Sequence, residues 1–174
     1  DLFAVLFGGA VALLPLFAQS ILHVGPFGLG VLRSAVAFGA LIGAIRLARR
    51  PMQSHAGRTL LLTVGAFGAS MIVFGLSRWF VVSALALAVS GFVDMFSMNI
   101  RSTVVALATP NQVRGRVNAV EGVFIGASNE LGAFESGAAA ALLGAVPAVV
   151  AGGVLTISLA IGWRWLFPPL ARVD

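Results

Sequence analysis

Six long apolar stretches, separated by short segments rich in polar residues, proline or glycine, run through the chain. The hydrocarbon core of a bilayer is ~30 Å thick, so a helix that crosses it needs ~20 largely apolar residues. The stretches are about this length or longer, and together they use most of the 174 residues. They predict transmembrane helices at about residues 2–22, 28–47, 59–76, 80–108, 117–143 and 147–167.

Polar residues are distributed unevenly among these stretches. The third and sixth have no charge in their interior, whereas the other four hold Asp1, Gln19, Arg33, Asp94, Asn99, Arg101, Glu121, Asn129, Glu130 and Glu135. A charge inside a membrane needs a partner, a protein interior or a water-filled cavity. Two polar helices followed by an apolar one, twice over, predict an all-α membrane protein of two three-helix inverted repeats, with its apolar helices facing lipid.

Small residues also recur at helical spacing. In the second stretch Ala35, Gly39 and Gly43 are four residues apart, which predicts close contact with another helix. In the fifth stretch a group of small residues surrounds Glu130, namely Gly122, Gly126, Ala133 and Gly137. This second group suits either tight packing or an opening beside the carboxyl group.

The composition agrees with a membrane protein and narrows the other classes. Hydrophobic residues make up 59% of the chain and charged residues only 10%, against roughly 25% charged residues in soluble domains. The chain has no cysteine, which excludes a disulfide framework and a thiolate metal site. The eleven basic residues are all arginines and lie mainly between apolar stretches, so they indicate membrane topology and not a nucleic-acid-binding face.

The arginines also predict an orientation. The even-numbered connections and the tail hold Arg46, Arg49, Arg50, Arg58, Arg114, Arg116 and Arg172. The odd-numbered connections hold only Arg78. Because the cytoplasmic side retains the excess of basic residues, we expect both termini there. Neither a signal peptide nor an initiator Met precedes the first stretch, so we expect residues 1–174 to be a single transmembrane domain within a longer polypeptide.

Depth separates the charged residues inside the predicted helices. At ~1.5 Å per residue, Glu130 lies ~20 Å from the cytoplasmic boundary, near the middle of the membrane. Asp94 lies nearer the cytoplasmic side, and both carboxyl groups are candidates for proton coupling. Other polar residues of these helices are candidates for lining a cavity or forming gates: Asp1, Arg33, Arg101, Glu121, Asn129 and Glu135.

Each of these assignments has a structural alternative. For Arg101 and Glu121 the alternative is that their side chains only reach out to the interface. Asp94 would equally suit an ion pair with a cytoplasmic arginine, and Arg33 with Glu135 would suit a static pair between helices. On a helical wheel, Glu121, Ser128 and Glu135 share one face of the fifth helix and Glu130 lies on the opposite face. Both faces need shielding from lipid, so this helix is expected to lack its partner in these residues.

Catalytic and metal-binding signatures are missing from the sequence. There is no metal-spaced cluster of His, Asp and Glu, no phosphate-binding loop and no nucleophile elbow. We therefore expect no enzyme activity, no catalytic residue, no bound metal and no cofactor.

Two segments resemble the major facilitator superfamily. One is Pro110-Asn-Gln-Val-Arg114-Gly115-Arg116, a motif expected in a cytoplasmic loop, and the other is Ile125-Gly-Ala-Ser-Asn-Glu130-Leu-Gly132. The second is similar to the branch of bacterial effluxers that includes the enterobactin exporter. The resemblance covers nearly the whole chain and matches the carboxyl-terminal six helices of a twelve-helix transporter. One departure is the loop after the second stretch, which lacks the Asp of the superfamily's Gly-x-x-x-Asp-Arg-x-Gly-Arg signature.

The resemblance implies a secondary active transporter in the bacterial cytoplasmic membrane. It would export a small organic molecule of the drug or siderophore class, driven by proton entry, with two halves that alternate in access. Its partners would be membrane lipid, protons, the substrate, and either an amino-terminal six-helix half of the same polypeptide or a second copy. The alternative hypothesis is a six-span structural or assembly subunit of a multi-component membrane complex, although the short cytoplasmic loops offer it little docking surface.

Overall fold

The computed structural model describes residues 9–49 and 56–166, which form six α-helices and one short 3-10 helix. The 3-10 helix, Gly9–Leu13, leads directly into α1, Leu14–Ser20. The five longer helices are α2, Pro26–Arg49; α3, Ala56–Leu76; α4, Phe80–Ala108; α5, Arg114–Leu143; and α6, Ala145–Leu166. The two ranges contain no strand, as expected where lipid offers backbone groups no hydrogen-bond partner.

Among the described residues, four helices are long and apolar enough to cross a membrane: all of α2 and α4, and most of α3 and α6. The described part of the first predicted span is a short apolar helix, and residues 2–8 of that prediction lie outside the described ranges. α5 has 30 residues but is the most polar of the long helices. The predicted all-α class is therefore confirmed, whereas the arrangement of six spans in two repeats stays a prediction.

Helices extend beyond the apolar stretches at one end of the bundle. α2 continues to Arg49 and α3 begins at Ala56, so Arg46, Arg49 and Arg58 are helical residues and the assignment of these three to a connection was wrong. The physical reason is that a long arginine side chain can reach the headgroup region from a helical turn. We call the end at which α2, α4 and α6 finish and α3 and α5 begin the arginine-rich end.

The buried core lies toward the opposite end. Side chains of α1, α2, α3, α4 and α6 meet there, with Phe17, Leu32, Phe74 and Leu87 fully buried. The rings of Phe17 and Phe74 have their centroids 4.6 Å apart. Of α5, only Gly132 is buried. α5 therefore lies against the side of the core and contributes little to it.

Two helix crossings depend on glycine. α2 crosses α4 where a side chain on Gly39 would overlap the carbonyl oxygen of Ala88, and one on Gly91 would overlap that of Val36. α3 crosses α6 at Gly68 and Gly153, where a Cβ added to either glycine would lie 2.7 Å from the carbonyl oxygen of the other. Small residues are what allow membrane helices to approach to backbone contact, and the predicted close contact at Gly39 is confirmed.

Candidate functional site

α4 carries polar side chains of different exposure on one face. Ser83, Ser90 and Ser97 recur every seven residues and are buried, where the helix packs against α2 and α3. Asp94 and Arg101, also seven residues apart, lie within about 60° of these serines around the helix, yet Asp94 is exposed and Arg101 is half-buried. A seven-residue spacing returns a side chain to nearly the same direction after two turns. α4 therefore directs an acid and a base to the side on which its buried serines lie.

α5 has the two faces that the helical wheel predicts. Glu121, Ser128 and Glu135 are half-buried on the side of α5 that holds Gly132. Glu130 is exposed on the other side, beside Asn129. Around Glu130, Gly122, Gly126 and Gly137 have no neighbouring atom within 4 Å of an added Cβ. No described residue fills the space beside these glycines, and both readings of this small-residue group stay predictions.

α4 meets α5 through an ion pair. Arg101 Nε lies 3.4 Å from Glu121 Oε1, and the two side chains are only 19% and 22% exposed. The helices are otherwise not packed against each other along their lengths, since α4 packs on α2 and α3, and α5 on the 3-10 helix and α6. This contact therefore joins two elements that apolar packing leaves separate.

A second polar contact closes the same connection. The guanidinium of Arg114, in the first turn of α5, donates a hydrogen bond of 3.0 Å to the carbonyl oxygen of Ala106 in the last turn of α4. The carbonyls of a final helical turn have no intrahelical donor and attract cations.

The predicted loop motif is only partly in the connection between the helices. Because α5 begins at Arg114, Arg114, Gly115 and Arg116 are helical, and only Pro110 of the four predicted loop-motif residues lies in the connection. The loop assignment of the other three was wrong.

The remaining candidates are not brought together. Arg33 is exposed on α2, and no ion pair joins it to Glu135. Glu135 Oε2 is shielded and has no hydrogen-bond partner within the part of the chain that the structure describes. Asp94 likewise makes no ion pair with a described arginine. Asp1 lies outside the described residues.

The described residues hold no group of three or more His, Asp or Glu side chains placed to bind a metal ion. What they do hold is carboxyl groups within long helices. Asp94 and Glu130 are exposed, whereas Glu121 is paired. An open carboxyl group can exchange a proton or meet a cationic group, and these are the chemical options of this site.

The sequence alone did not identify the Arg101–Glu121 pair or the bond from Arg114 to Ala106. A signal was present for the pair. Arg101 lies about two turns before the end of α4, and Glu121 about two turns after the start of α5. In an antiparallel hairpin such positions reach the same level. The carbonyl that accepts from Arg114 carries no sequence signal, because every residue has one.

Comparisons with known proteins give a consistent result. A family model described as transmembrane secretion effector matches residues 2–174. The enterobactin exporter EntS of Citrobacter koseri is 30% identical over 156 residues, which cover 84% of this chain and 37% of that exporter. The chain thus spans little more than a third of the length of this curated relative. No solved structure matches the chain.

Proposed function

The chain belongs to the transmembrane secretion effectors of the major facilitator superfamily, and from this membership we propose that it forms the carboxyl-terminal half of a proton-coupled exporter. It is a membrane-integral transporter protein and not an enzyme. The proposal adds the direction of transport, the driving force and the class of substrate. The substrate would be a small organic molecule, as the similarity to an enterobactin exporter suggests.

Exposed faces of two helices support the proposed missing half. α2 exposes Phe38 and Leu41, and α5 exposes Val123 and Phe134, the least exposed of which is 55% accessible. In the proposed protein an amino-terminal six-helix half of the same polypeptide covers these faces, and the two halves rock against each other to alternate access. The six spans would form two three-helix repeats, with the arginine-rich end in the cytoplasm of a bacterium.

One observation supports the proton-coupling residue most directly. Glu130 is exposed on α5, next to glycines that leave open space beside it. A carboxyl group near mid-membrane needs a partner, a protein interior or a water-filled cavity, and a cavity between the two proposed halves would supply one. We assign Glu130 the exchange of the proton, with Asp94, which is exposed on α4, as the second candidate.

Efflux from cells that express the full-length protein tests the proposal. A panel of dyes and siderophore-like compounds is loaded, and proton-driven efflux is compared for the wild type, Glu130→Gln and Asp94→Asn. We expect the wild type to export at least one compound and Glu130→Gln to lose that export at normal membrane levels. If Glu130→Gln exports like the wild type, Glu130 is structural, and a loss in Asp94→Asn would move the role to Asp94.

Arg78→Gln serves as the charge control for these variants. Arg78 is exposed at the end opposite to the arginine-rich end, and its substitution removes one charge while Glu130 and Asp94 stay unchanged. The alternative hypothesis, an assembly subunit, requires that no compound be exported by the wild type. The family match favours the transporter.

A further inference from the structure

We infer that the α3–α6 pair binds the headgroup of an anionic phospholipid between Arg58 and Trp165, in the membrane leaflet at the arginine-rich end. The inference goes beyond the proposed function and does not depend on what the protein transports. It rests on three features of the two side chains: the level at which they lie, the side of the helix pair on which they are exposed, and the charge at that place.

Arg58 and Trp165 lie at the same level of the helix pair. α3 begins and α6 finishes at the arginine-rich end, and the two helices pack against each other. Within this contact, a Cβ added to Gly68 would lie 2.8 Å from a side-chain carbon of Ile157. From there, Arg58 is ten residues and Trp165 is eight residues toward the arginine-rich end. At ~1.5 Å per residue, the two positions differ in level by only about 3 Å.

The two side chains also lie on the same side of the pair. Arg58 is about 80° around α3 from Gly68, and Trp165 is about 80° around α6 from Ile157 in the same sense. In two antiparallel helices, equal rotations of this kind lead to the same side. This side is the uncovered one, because Arg58 and Trp165 are both exposed, Trp165 to 79%, while α4 packs on α3 and α5 packs on α6 elsewhere.

The uncovered side has the length and composition of a surface that faces lipid. The segments of α3 and α6 that can cross a membrane have 20 and 19 residues, or ~30 Å and ~28 Å of helix, which matches the ~30 Å hydrocarbon core of a bilayer. Exposed apolar side chains continue the surface into that core, with Leu62 one turn after Arg58 and Ile161 one turn before Trp165. Arg58 and Trp165 therefore lie at the edge of the hydrocarbon, where lipid headgroups begin.

The charge at this level is positive and lacks a protein partner. Neither α3 nor α6 contains Asp or Glu, and no described carboxyl group forms an ion pair with Arg58. A guanidinium donates paired hydrogen bonds to phosphate oxygens, and an indole is favoured at headgroup depth. A zwitterionic headgroup also brings a cation that Arg58 repels, whereas an anionic one does not. One arginine near the surface then gives a preference of about fivefold for the anionic lipid.

Quenching of a local fluorophore tests the site in the full-length protein in lipid nanodiscs. The chain has no cysteine, so Leu62→Cys provides one attachment point for bimane on α3, and any cysteine outside residues 1–174 is first replaced by serine. The nanodiscs consist of phosphatidylcholine with a small fraction of nitroxide-labelled lipid, either phosphatidylglycerol or phosphatidylcholine, with the nitroxide on the acyl chain close to the headgroup. The ratio of quenching by the two labelled lipids measures the local preference. We expect phosphatidylglycerol to associate about fivefold more strongly.

Substitutions with matched controls locate this preference. Arg58→Gln should lower the ratio to near one, and Trp165→Leu should lower it about twofold. Arg49→Gln removes an exposed arginine at the same end of the bundle, in the last turn of α2, and should leave the ratio unchanged. Trp163→Leu removes an indole that lies about 160° around α6 from Trp165, and it should leave the ratio unchanged as well.

The inference is overturned if labelled phosphatidylcholine quenches as strongly as phosphatidylglycerol before any of these substitutions, or if Arg49→Gln lowers the ratio as much as Arg58→Gln does. Weak quenching by both lipids would show that protein covers this side, and would overturn the inference too. None of these measurements requires transport. A protein that exports nothing therefore contradicts the proposed function, while the quenching ratios still decide the lipid site.

Discussion

α4 and α5 are neighbours in sequence and nearly equal in length, with 29 and 30 residues, yet they are held in opposite ways. α4 has eight buried residues and contacts two helices closely, whereas α5 has one. Both helices are rich in small residues and both contain charged side chains. The presence of small residues and of charges therefore does not by itself decide which helix is packed, although α5 is the more polar of the two.

The glycines of the two regions show what does decide. At Gly39 and Gly91 a neighbouring helix occupies the space of the absent side chain, but at Gly122 and Gly126 that space is empty. In the first region glycine permits backbone contact, which stabilises the bundle. In the second it keeps a surface open. The same residue type thus serves the fold in one helix pair and leaves room for a moving or absent partner in the other.

The strongest test of this comparison is Gly39→Ala. The new methyl group would overlap the carbonyl of Ala88, so α2 and α4 must separate, at a cost of at least about 2 kcal/mol. The thermal unfolding midpoint of the purified full-length protein in detergent should fall clearly. Gly30→Ala, on the same helix and with no atom within 4 Å, is the control and should not lower the midpoint.

A smaller loss is expected at the crossing of α3 and α6. In Gly68→Ala the added Cβ would lie 2.7 Å from the carbonyl oxygen of Gly153 and 2.8 Å from a side-chain carbon of Ile157. Part of the contact can be relieved because the Ile157 side chain can change rotamer, so we expect a loss of about 1–2 kcal/mol. Gly65→Ala, one turn away in open space, provides the matched measurement. Equal midpoints for the two variants would contradict the packed-glycine account.

The packed region could largely be predicted from sequence, and the open region only in part. The bounds of α4 agree with the apolar stretch at 80–108, because Pro110 on one side and Ser77 and Arg78 on the other interrupt the pattern. The stripe at Gly39 and Gly43 predicted a close helix contact. The sequence could not predict that α4 is the partner helix at this contact. The contact joins residues far apart in the chain, and nothing in a single sequence marks them as neighbours.

The site was harder to predict for a physical reason. Depth and face follow from helix geometry, so the separation of Glu130 from Glu121 and Glu135 could be read from residue spacing. Pairing depends on how helices tilt, and tilt is set by packing. The structure accordingly joins Arg101 to Glu121, whereas the sequence had suggested partners for Asp94 and for Arg33 that the described residues do not provide.

A third prediction concerns a polar group inside the packed region. Ser83 is fully buried, and its Oγ has no hydrogen-bond partner among the described residues. Removing an unsatisfied buried hydroxyl relieves its desolvation cost, so Ser83→Ala should raise stability by about 1 kcal/mol. Ser90 donates a 2.7 Å hydrogen bond to the carbonyl of Leu87, and Ser90→Ala should not be stabilising. A lower unfolding midpoint in Ser83→Ala would show that its hydroxyl is bonded after all.

The smallest effect on stability is expected on the open face of α5. Gly126→Ala adds a methyl group where no atom lies within 4 Å, and alanine favours helix by up to about 1 kcal/mol. The unfolding midpoint should hold or rise slightly, while efflux by the full-length protein falls several-fold if the space beside Glu130 is used in transport. A midpoint that drops as it does in Gly39→Ala would instead show that this face is packed in the full-length protein.

The short link between α5 and α6 also has a consequence for biosynthesis. Only Gly144, with a φ of 92°, separates the two helices. A charged side chain costs at least ~2.5 kcal/mol at the centre of an inserting helix, and α5 brings three glutamates. We expect α5 to be retained by the translocon until the apolar α6 follows, so that both enter the bilayer as one hairpin. Glycosylation mapping of nascent chains that stop before or after α6 would detect this order, and a stably inserted α5 without α6 would disprove it.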